Sequence, residues 1–179
     1  MKRYIFLVLV TIFFFCFSSS LVTAQSSDTT EFPGGFVLYH YQDEYLDFSF
    51  IYPEEWINQS CREKGIIIYL PEFKGTLTFR PMPLFGEENN LSEIAAKNME
   101  NLKEAGAVFL ESVPDKLSGH SAQRTLYTMK FGNKILKYIR YEYIINDLYY
   151  TFSFNTIESD FEKYLNDILK IVRSIKINK

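Results

Sequence analysis

From Tyr45 the chain reads Tyr-Leu-Asp-Phe-Ser-Phe-Ile-Tyr-Pro-Glu-Glu-Trp, ending at Trp56. Leu46, Phe48 and Phe50 share one side of this run and Asp47, Ser49 and Ile51 the other, the period of a strand with one well-buried face. Pro53 cannot donate to a sheet ladder, so the strand is expected to stop near Tyr52. Trp56, the sole tryptophan, follows three residues later and is large enough to plug one end of a core. A Tyr-rich strand over residues 36–41 precedes this run across the Gln42-Asp43-Glu44 turn and forms its hairpin partner.

Further along, residues 58–65 are polar and read as a loop. Residues 66–70 form a continuous apolar strand closed by Pro71, and residues 75–80 alternate up to Pro81. Residues 81–89 hold two prolines and a glycine and are expected to be a loop. Asn90 with Glu93 makes a capping pair. Leu91, Ile94, Ala95, Met99 and Leu102 then recur at helical spacing, and Gly106 is a natural stop. A strand follows over 107–113, and 114–120 turns. Three long strands come next, over 121–131, 134–145 and 148–157. Gly132-Asn133 and Asn146-Asp147 join them, dipeptides that favour tight hairpins and so antiparallel pairing. Ile139, Tyr141, Tyr143 and Ile145 share a face with Lys137 in one strand, and Tyr150, Phe152 and Phe154 share one in the next. The last helix opens on the capping box Ser159-Asp160-Phe161-Glu162. It carries Phe161, Tyr164, Leu165, Ile168, Leu169, Val172 and Ile175 at helical spacing. Runs of antiparallel strands with two amphipathic helices define an α+β domain whose helices cover a sheet.

The first 24 residues change the compartment. Lys2 and Arg3 precede an apolar run from Tyr4 to Phe17. Three serines follow, and Val22-Thr23-Ala24 resembles a cleavage site. The run is short for a membrane span of about 20 residues, so a cleaved secretion signal is expected over 1–24, with an uncleaved anchor as the alternative. An acylated Cys16 would need a small residue where Phe15 stands. Residues 25–35 are polar, end in turn formers and read as a linker, leaving a single domain over 36–179. The whole chain carries a net charge of −3. Without residues 1–24, which hold two basic and no acidic residues, it carries −5. With no Lys/Arg cluster, nucleic acid is a poor partner. Cys61 is then the lone cysteine and has no internal partner.

The wording "YLDFSFIYPEEW", the capped helix "NLSEIAAKNMENLKEAG", the strand "AVFLES" and the closing helix "FEKYLNDILKIVRSIKI" together resemble the PsbP-like family, over roughly residues 37–177. The resemblance implies an α/β/α sandwich around a central, mostly antiparallel sheet of six or more strands. It also implies a non-enzymatic assembly or binding role. The family's photosynthetic subunit uses an extended basic N-terminal arm; residues 25–35 contain no Lys or Arg, so that role does not carry over.

Catalytic spacing is sparse. The two histidines, His40 in a strand and His120 in a turn, match no HExxH, HxxxH or CxxC pattern, and there is no GxSxG elbow or glycine-rich phosphate loop. Asp43, Glu44 and Asp47 form the best candidate metal cluster, with Glu54, Glu55, Glu87 and Glu88 as a second. Their hard oxygens suit a weak Ca²⁺ or Mn²⁺ site, although no Ca²⁺-loop spacing is present. Tyr39, Tyr41, Tyr138, Tyr141, Tyr143, Tyr149 and Tyr150 serve either as core packing or as a binding face. Asn58 and Asn90 head glycosylation sequons. The expectation is an exported, monomeric, non-catalytic binding or assembly module of the cell envelope. Its partner is another envelope protein or a small ligand, and membrane contact comes only through an uncleaved anchor. The alternatives are a divalent-metal or small-ligand carrier and, behind it, an unrecognised hydrolase.

Overall fold

Asn146 and Asp147 both take positive φ, 51° and 60°, the backbone that a tight hairpin turn matching the strand twist requires. They join β9 (Lys134–Ile145) to β10 (Leu148–Ile157) in antiparallel register. This hairpin lies inside a seven-stranded antiparallel sheet in the order β4-β5-β6-β10-β9-β8-β7. The other members are β4 (Ile57–Cys61), β5 (Gly65–Tyr69), β6 (Gly75–Pro83), β7 (Val108–Leu117) and β8 (His120–Phe131). The computed structural model describes residues 31–178 apart from 33, 45, 62–64 and 85–89. The expected signal over 1–24 lies outside the described residues.

Alternation gives the large sheet two unlike faces. Ile66 and Ile68, Leu77 and Phe79, Phe152 and Phe154, and Ile139 and Tyr141 all point to one side and are buried. Each large side chain so buried contributes about 1.5–3 kcal/mol. That side is covered by α2 (Phe161–Ser174) and by a second, four-stranded sheet in the order β1-β2-β3-β11. The small sheet comprises β1 (Glu31–Phe32), β2 (Phe36–Gln42), β3 (Asp47–Pro53) and β11 (Lys176–Ile177). Phe48 and Phe50 of β3 reach across to Phe79 at ring distances of 4.5 and 5.9 Å. Trp56 closes one end, stacked on Phe154 at 6.3 Å and edge-on to Tyr164 at 6.2 Å. On the opposite side of the large sheet lies α1 (Leu91–Glu104), packed over β8 and β9. The layers are therefore α1, the seven-stranded sheet, and α2 together with the small sheet, as the α+β reading and the sandwich expectation require.

The helix starts differ from each other. Asn90 caps α1 as its sequence implies: Oδ1 accepts from the amides of Ser92 (3.0 Å) and Glu93 (3.4 Å), while Nδ2 donates to Glu93 Oε1 at 2.8 Å. Gly106 ends the segment with φ of 93°. The expected box at Ser159–Glu162 does not form. A 3₁₀ turn over Glu158–Asp160 leads into α2, and Asp160 at the cap position makes no side-chain capping bond.

Five other expectations need correction. Residues 114–117 do not turn but complete β7, which pairs with β8 as far as Leu117 and His120, so the turn is confined to Ser118 and Gly119. Residues 57–61 are not loop but β4, the outer partner of β5; a polar sequence suffices at a sheet edge, where one side faces water. β6 does not stop at Arg80 but runs to Pro83. β5 pairs with β6 only over residues 76–79. Beyond that, alternate nitrogens of β6 face no strand among the described residues, and Pro81 and Pro83 occupy such positions. The hairpin β2–β3 does not join the main sheet but founds the small one, completed by the C-terminal β11. Glu31 and Phe32, expected in a linker, pair with Val37 and Phe36.

Candidate functional site

The second face of the large sheet is built from the other half of the alternation. β9 presents Tyr138, Arg140 and Glu142 between its core residues, and β10 presents Tyr149, Thr151, Ser153 and Asn155. β6 adds Thr76, Thr78 and Arg80. The register aligns these residues in rows: Tyr69, Thr76, Asn155, Tyr138, Tyr127 and Phe109 are successive cross-strand partners from β5 to β7. A parallel row runs Ile67, Thr78, Ser153, Arg140, Thr125.

α1 covers one part of this face and holds a polar cluster beneath it. Glu142 is buried, with 1% of its surface exposed. Its Oε1 accepts from the Tyr149 hydroxyl, from Asn98 Nδ2 of α1 at 2.9 Å, and pairs with Arg140 Nη2 at 3.0 Å. The Tyr149 hydroxyl also accepts from Asn98 Nδ2 at 2.8 Å and from Arg140 Nη2 at 3.2 Å. Burial, reinforced by the Glu142 carboxylate, pushes the Tyr149 phenol far up. Burial likewise raises Tyr127 to about 12. For Arg140 burial opposes the charge, but Glu142 and Tyr149 outweigh it and its pKa rises. The cluster thus joins the Arg140–Glu142 pair to a phenol that stays protonated across the physiological range, an arrangement suited to holding groups in place.

Outside the shadow of α1 the face is half-exposed and its groups are tethered. Asn155 donates Nδ2 to Thr76 Oγ1 at 2.6 Å. Tyr138 stacks on Tyr127 at 4.8 Å with the rings 4° from parallel. Tyr69 meets Phe73 edge-on at 5.4 Å. Beside α1, an open groove of about 740 Å³ is lined by Ala96, Met99 and Lys103 of the helix and by Ala107, Val108 and Phe109.

The residues singled out from the sequence are scattered. Asp43 Oδ1 accepts from the Leu46 amide at 2.7 Å and Oδ2 from the Tyr41 hydroxyl at 2.9 Å, closing the turn. Asp47 Oδ1 instead meets His40 Nε2 and Asn178 Nδ2, each at 3.0 Å, on the outside of the small sheet. Glu44, Glu54 and Glu55 are exposed. Among the described residues no group of three or more His, Cys, Asp or Glu side chains lies close enough to hold a metal ion. Glu87, Glu88 and the Cys61 side chain lie outside the described residues. His120 opens β8 and is exposed, on a different sheet from His40. Asn58 is exposed, and Asn90 is the α1 cap. Of the tyrosines, Tyr39, Tyr141, Tyr143 and Tyr150 belong to the core and Tyr41 packs against it. Tyr138 and Tyr149 belong to the polar face. Arg140, Glu142 and Asn98 were not candidates from sequence. The signal for the first two was present in charged residues alternating with aromatics through a central strand; Asn98 is an ordinary polar helix residue until the helix is docked.

No family model matches the sequence, and no curated protein matches it. Solved structures do resemble the fold. Cyanobacterial PsbP (CyanoP) from Synechocystis superposes with a TM-score of 0.61 at 14% identity, covering 78% of this chain and 92% of that one. LpqN of Mycobacterium tuberculosis, described as involved in cell envelope biogenesis, gives 0.58 at 13%, covering 80% and 92%. The Ran-binding protein Mog1p of Saccharomyces cerevisiae gives 0.51 at 9%, covering 72% and 89%. At these identities the likeness is one of architecture, and the chain has the PsbP/Mog1-like fold.

Proposed function

We propose that this protein is an exported, non-catalytic binding module of the cell envelope that works through the polar face of its seven-stranded sheet. The carrying observation is the Glu142–Arg140–Tyr149–Asn98 cluster. A buried ion pair stabilises a fold little compared with apolar residues of the same shape, so this cluster under α1 is better explained by the groups it positions. Arg140 and its neighbours are held in fixed orientations at the border of the open face. Such pre-ordering lowers the cost of binding. The positive start and apolar run of residues 1–24 support export. No helix among the described residues is long and apolar enough to cross a membrane. Neighbours of the same fold include one described as Ran-binding and one described as involved in cell envelope biogenesis, which supports a binding role by analogy of fold alone.

Crosslinking in the protein's own cells, followed by recovery and mass spectrometry, tests this reading. The expected result is an extracytoplasmic protein whose crosslinks cluster on the Tyr138–Asn155 face and whose first residue is Gln25 or, if the anchor is kept, Met1. Recovery in the cytoplasm, or steady turnover by the purified protein in a broad hydrolase screen, would overturn it.

A further inference from the structure

We infer that the open part of the polar face is a platform for an uncharged glycan chain; this rests on the binding-module reading above. The row Tyr69, Thr76, Asn155, Tyr138 crosses three strand spacings, about 14 Å at the usual separation of neighbouring strands. Along it, tyrosine rings at both ends flank a hydroxyl and a carboxamide. That sequence of groups matches a short oligosaccharide, whose rings offer C–H faces to aromatics and hydroxyls to hydrogen-bonding side chains. Ser153 lies in the adjoining row. Tyr69, Tyr138 and Ser153 are each half-buried, which leaves their hydroxyl-bearing side chains within reach of a ligand.

Charge selects an uncharged occupant over a polyanion. Arg140, the guanidinium at the border of the open face, is already neutralised by Glu142 at 3.0 Å, so it offers no spare charge to a polyanion. Of the exposed large apolar side chains, Val108, Leu110, Phe131 and Ile135 lie on β7 and around the β8–β9 turn, whereas Ile57, the cross-strand partner of Tyr69, and Phe73, against its ring, extend the row at its outer end with apolar surface for the C–H faces of a sugar. The groups of the row are also set before binding: Asn155 by Thr76, Tyr138 by Tyr127, Tyr69 by Phe73. A rigid platform suits a ligand that is itself stiff and repetitive.

Calorimetric titration of the protein, in the form its own cells make, with maltohexaose, cellohexaose and chitohexaose at millimolar concentration tests the inference. At least one probe is expected to bind. Tyr69→Ala and Asn155→Ala should each weaken that binding about tenfold, the loss of one aromatic or polar contact. Val108→Ser, on the far edge, should leave it unchanged. Thermal unfolding of each variant checks folding, and Asn155→Ala alone suffices if Tyr69→Ala does not fold. No heat with any of the three probes, or binding that survives in a folded Asn155→Ala variant, overturns the glycan platform. If envelope crosslinks to a protein are found while all three titrations are flat, the glycan inference falls and the binding-module reading stands. If both experiments are blank, both fall.

Discussion

Tyr149 and Glu142 meet across the β9–β10 hairpin, the phenol donating to the carboxylate beneath Asn98 of α1. Both are buried, so the hydrogen bond to a charged acceptor is difficult to replace by water. Tyr149→Phe is expected to cost about 1.5–3 kcal/mol. Glu142→Ala should cost more, about 3–5 kcal/mol, because it leaves the Arg140 guanidinium under the helix without its counter-charge. Urea denaturation of both variants measures the two costs, and equal costs would contradict the role assigned to Arg140.

Tyrosines on the other face should behave in the opposite way. Tyr143 and Tyr150 stack at 5.1 Å with rings 7° apart, fully buried, and neither hydroxyl has a hydrogen-bond partner among the described residues. Removing an unsatisfied buried hydroxyl without changing the ring relieves a desolvation cost. Tyr143→Phe is therefore expected to raise stability by about 1 kcal/mol, read as a higher urea midpoint at unchanged slope. A loss of stability would show that a water or another group satisfies the hydroxyl.

The same burial sets the alkaline limit of the fold. Burial raises Tyr127 and Tyr150 each to about 12, against about 10 for the unfolded chain. Between these values the unfolded state has lost the proton and the native state still holds it. Stability is therefore intact below about pH 10 and falls as pH rises towards 12, by on the order of 3 kcal/mol for each such phenol. Chemical denaturation at a series of alkaline pH values, with phenolate absorbance followed in parallel, checks the sign. A midpoint that stays flat through this range would refute it.

At Gly75 the limit is space. A Cβ there would stand 2.3 Å from the Asn155 carbonyl oxygen and 3.0 Å from Thr156 Cβ. The β6 and β10 backbones would have to part where Gly75 pairs with Thr156. Gly75→Ala is expected to cost at least about 1–3 kcal/mol. If the row over β6 and β10 is the binding face, the variant should also weaken ligand binding, because it shifts Thr76 against Asn155.

Trp56 provides a reporter as well as a test. Its ring is 4% exposed between Phe154 and Tyr164. Trp56→Phe should cost less than Trp56→Ala, for which about 3–5 kcal/mol is expected. The emission of this single tryptophan should shift to the red in one cooperative step on unfolding. A shift that precedes the loss of circular dichroism would show that this end of the core opens on its own.

Much of the fold was legible because strict alternation and capping chemistry are local. The Phe48–Phe50 run, the Asn146-Asp147 turn, the Asn90 cap and the stripe of α2 need no distant partner to be recognised, and each lies where its pattern implies. The misses share a cause. β4 is polar because it is an edge, and Pro81 and Pro83 continue β6 because β5 has already left it. Both facts depend on which strand lies alongside. The box at Ser159–Glu162 was overridden by the 3₁₀ turn that carries the chain from β10 into α2.

For the candidate site the division is sharper. Sequence alone determined the period-2 pattern, and with it that Tyr138, Arg140 and Glu142 would stand on the face opposite Ile139, Tyr141 and Tyr143. It also determined the acidic balance and the absence of a recognised catalytic spacing. It could not determine the meaning of that face, because alternation does not say which strands are neighbours or in what register. Only the tertiary structure placed Asn155 between Thr76 and Tyr138, and brought Asn98 down onto Glu142. It also gave Asp43 and Asp47 different partners, the Leu46 amide and Tyr41 hydroxyl for the first and His40 and Asn178 for the second. Side-chain direction follows from local backbone geometry, whereas adjacency between strands follows from how all the buried faces are satisfied at once.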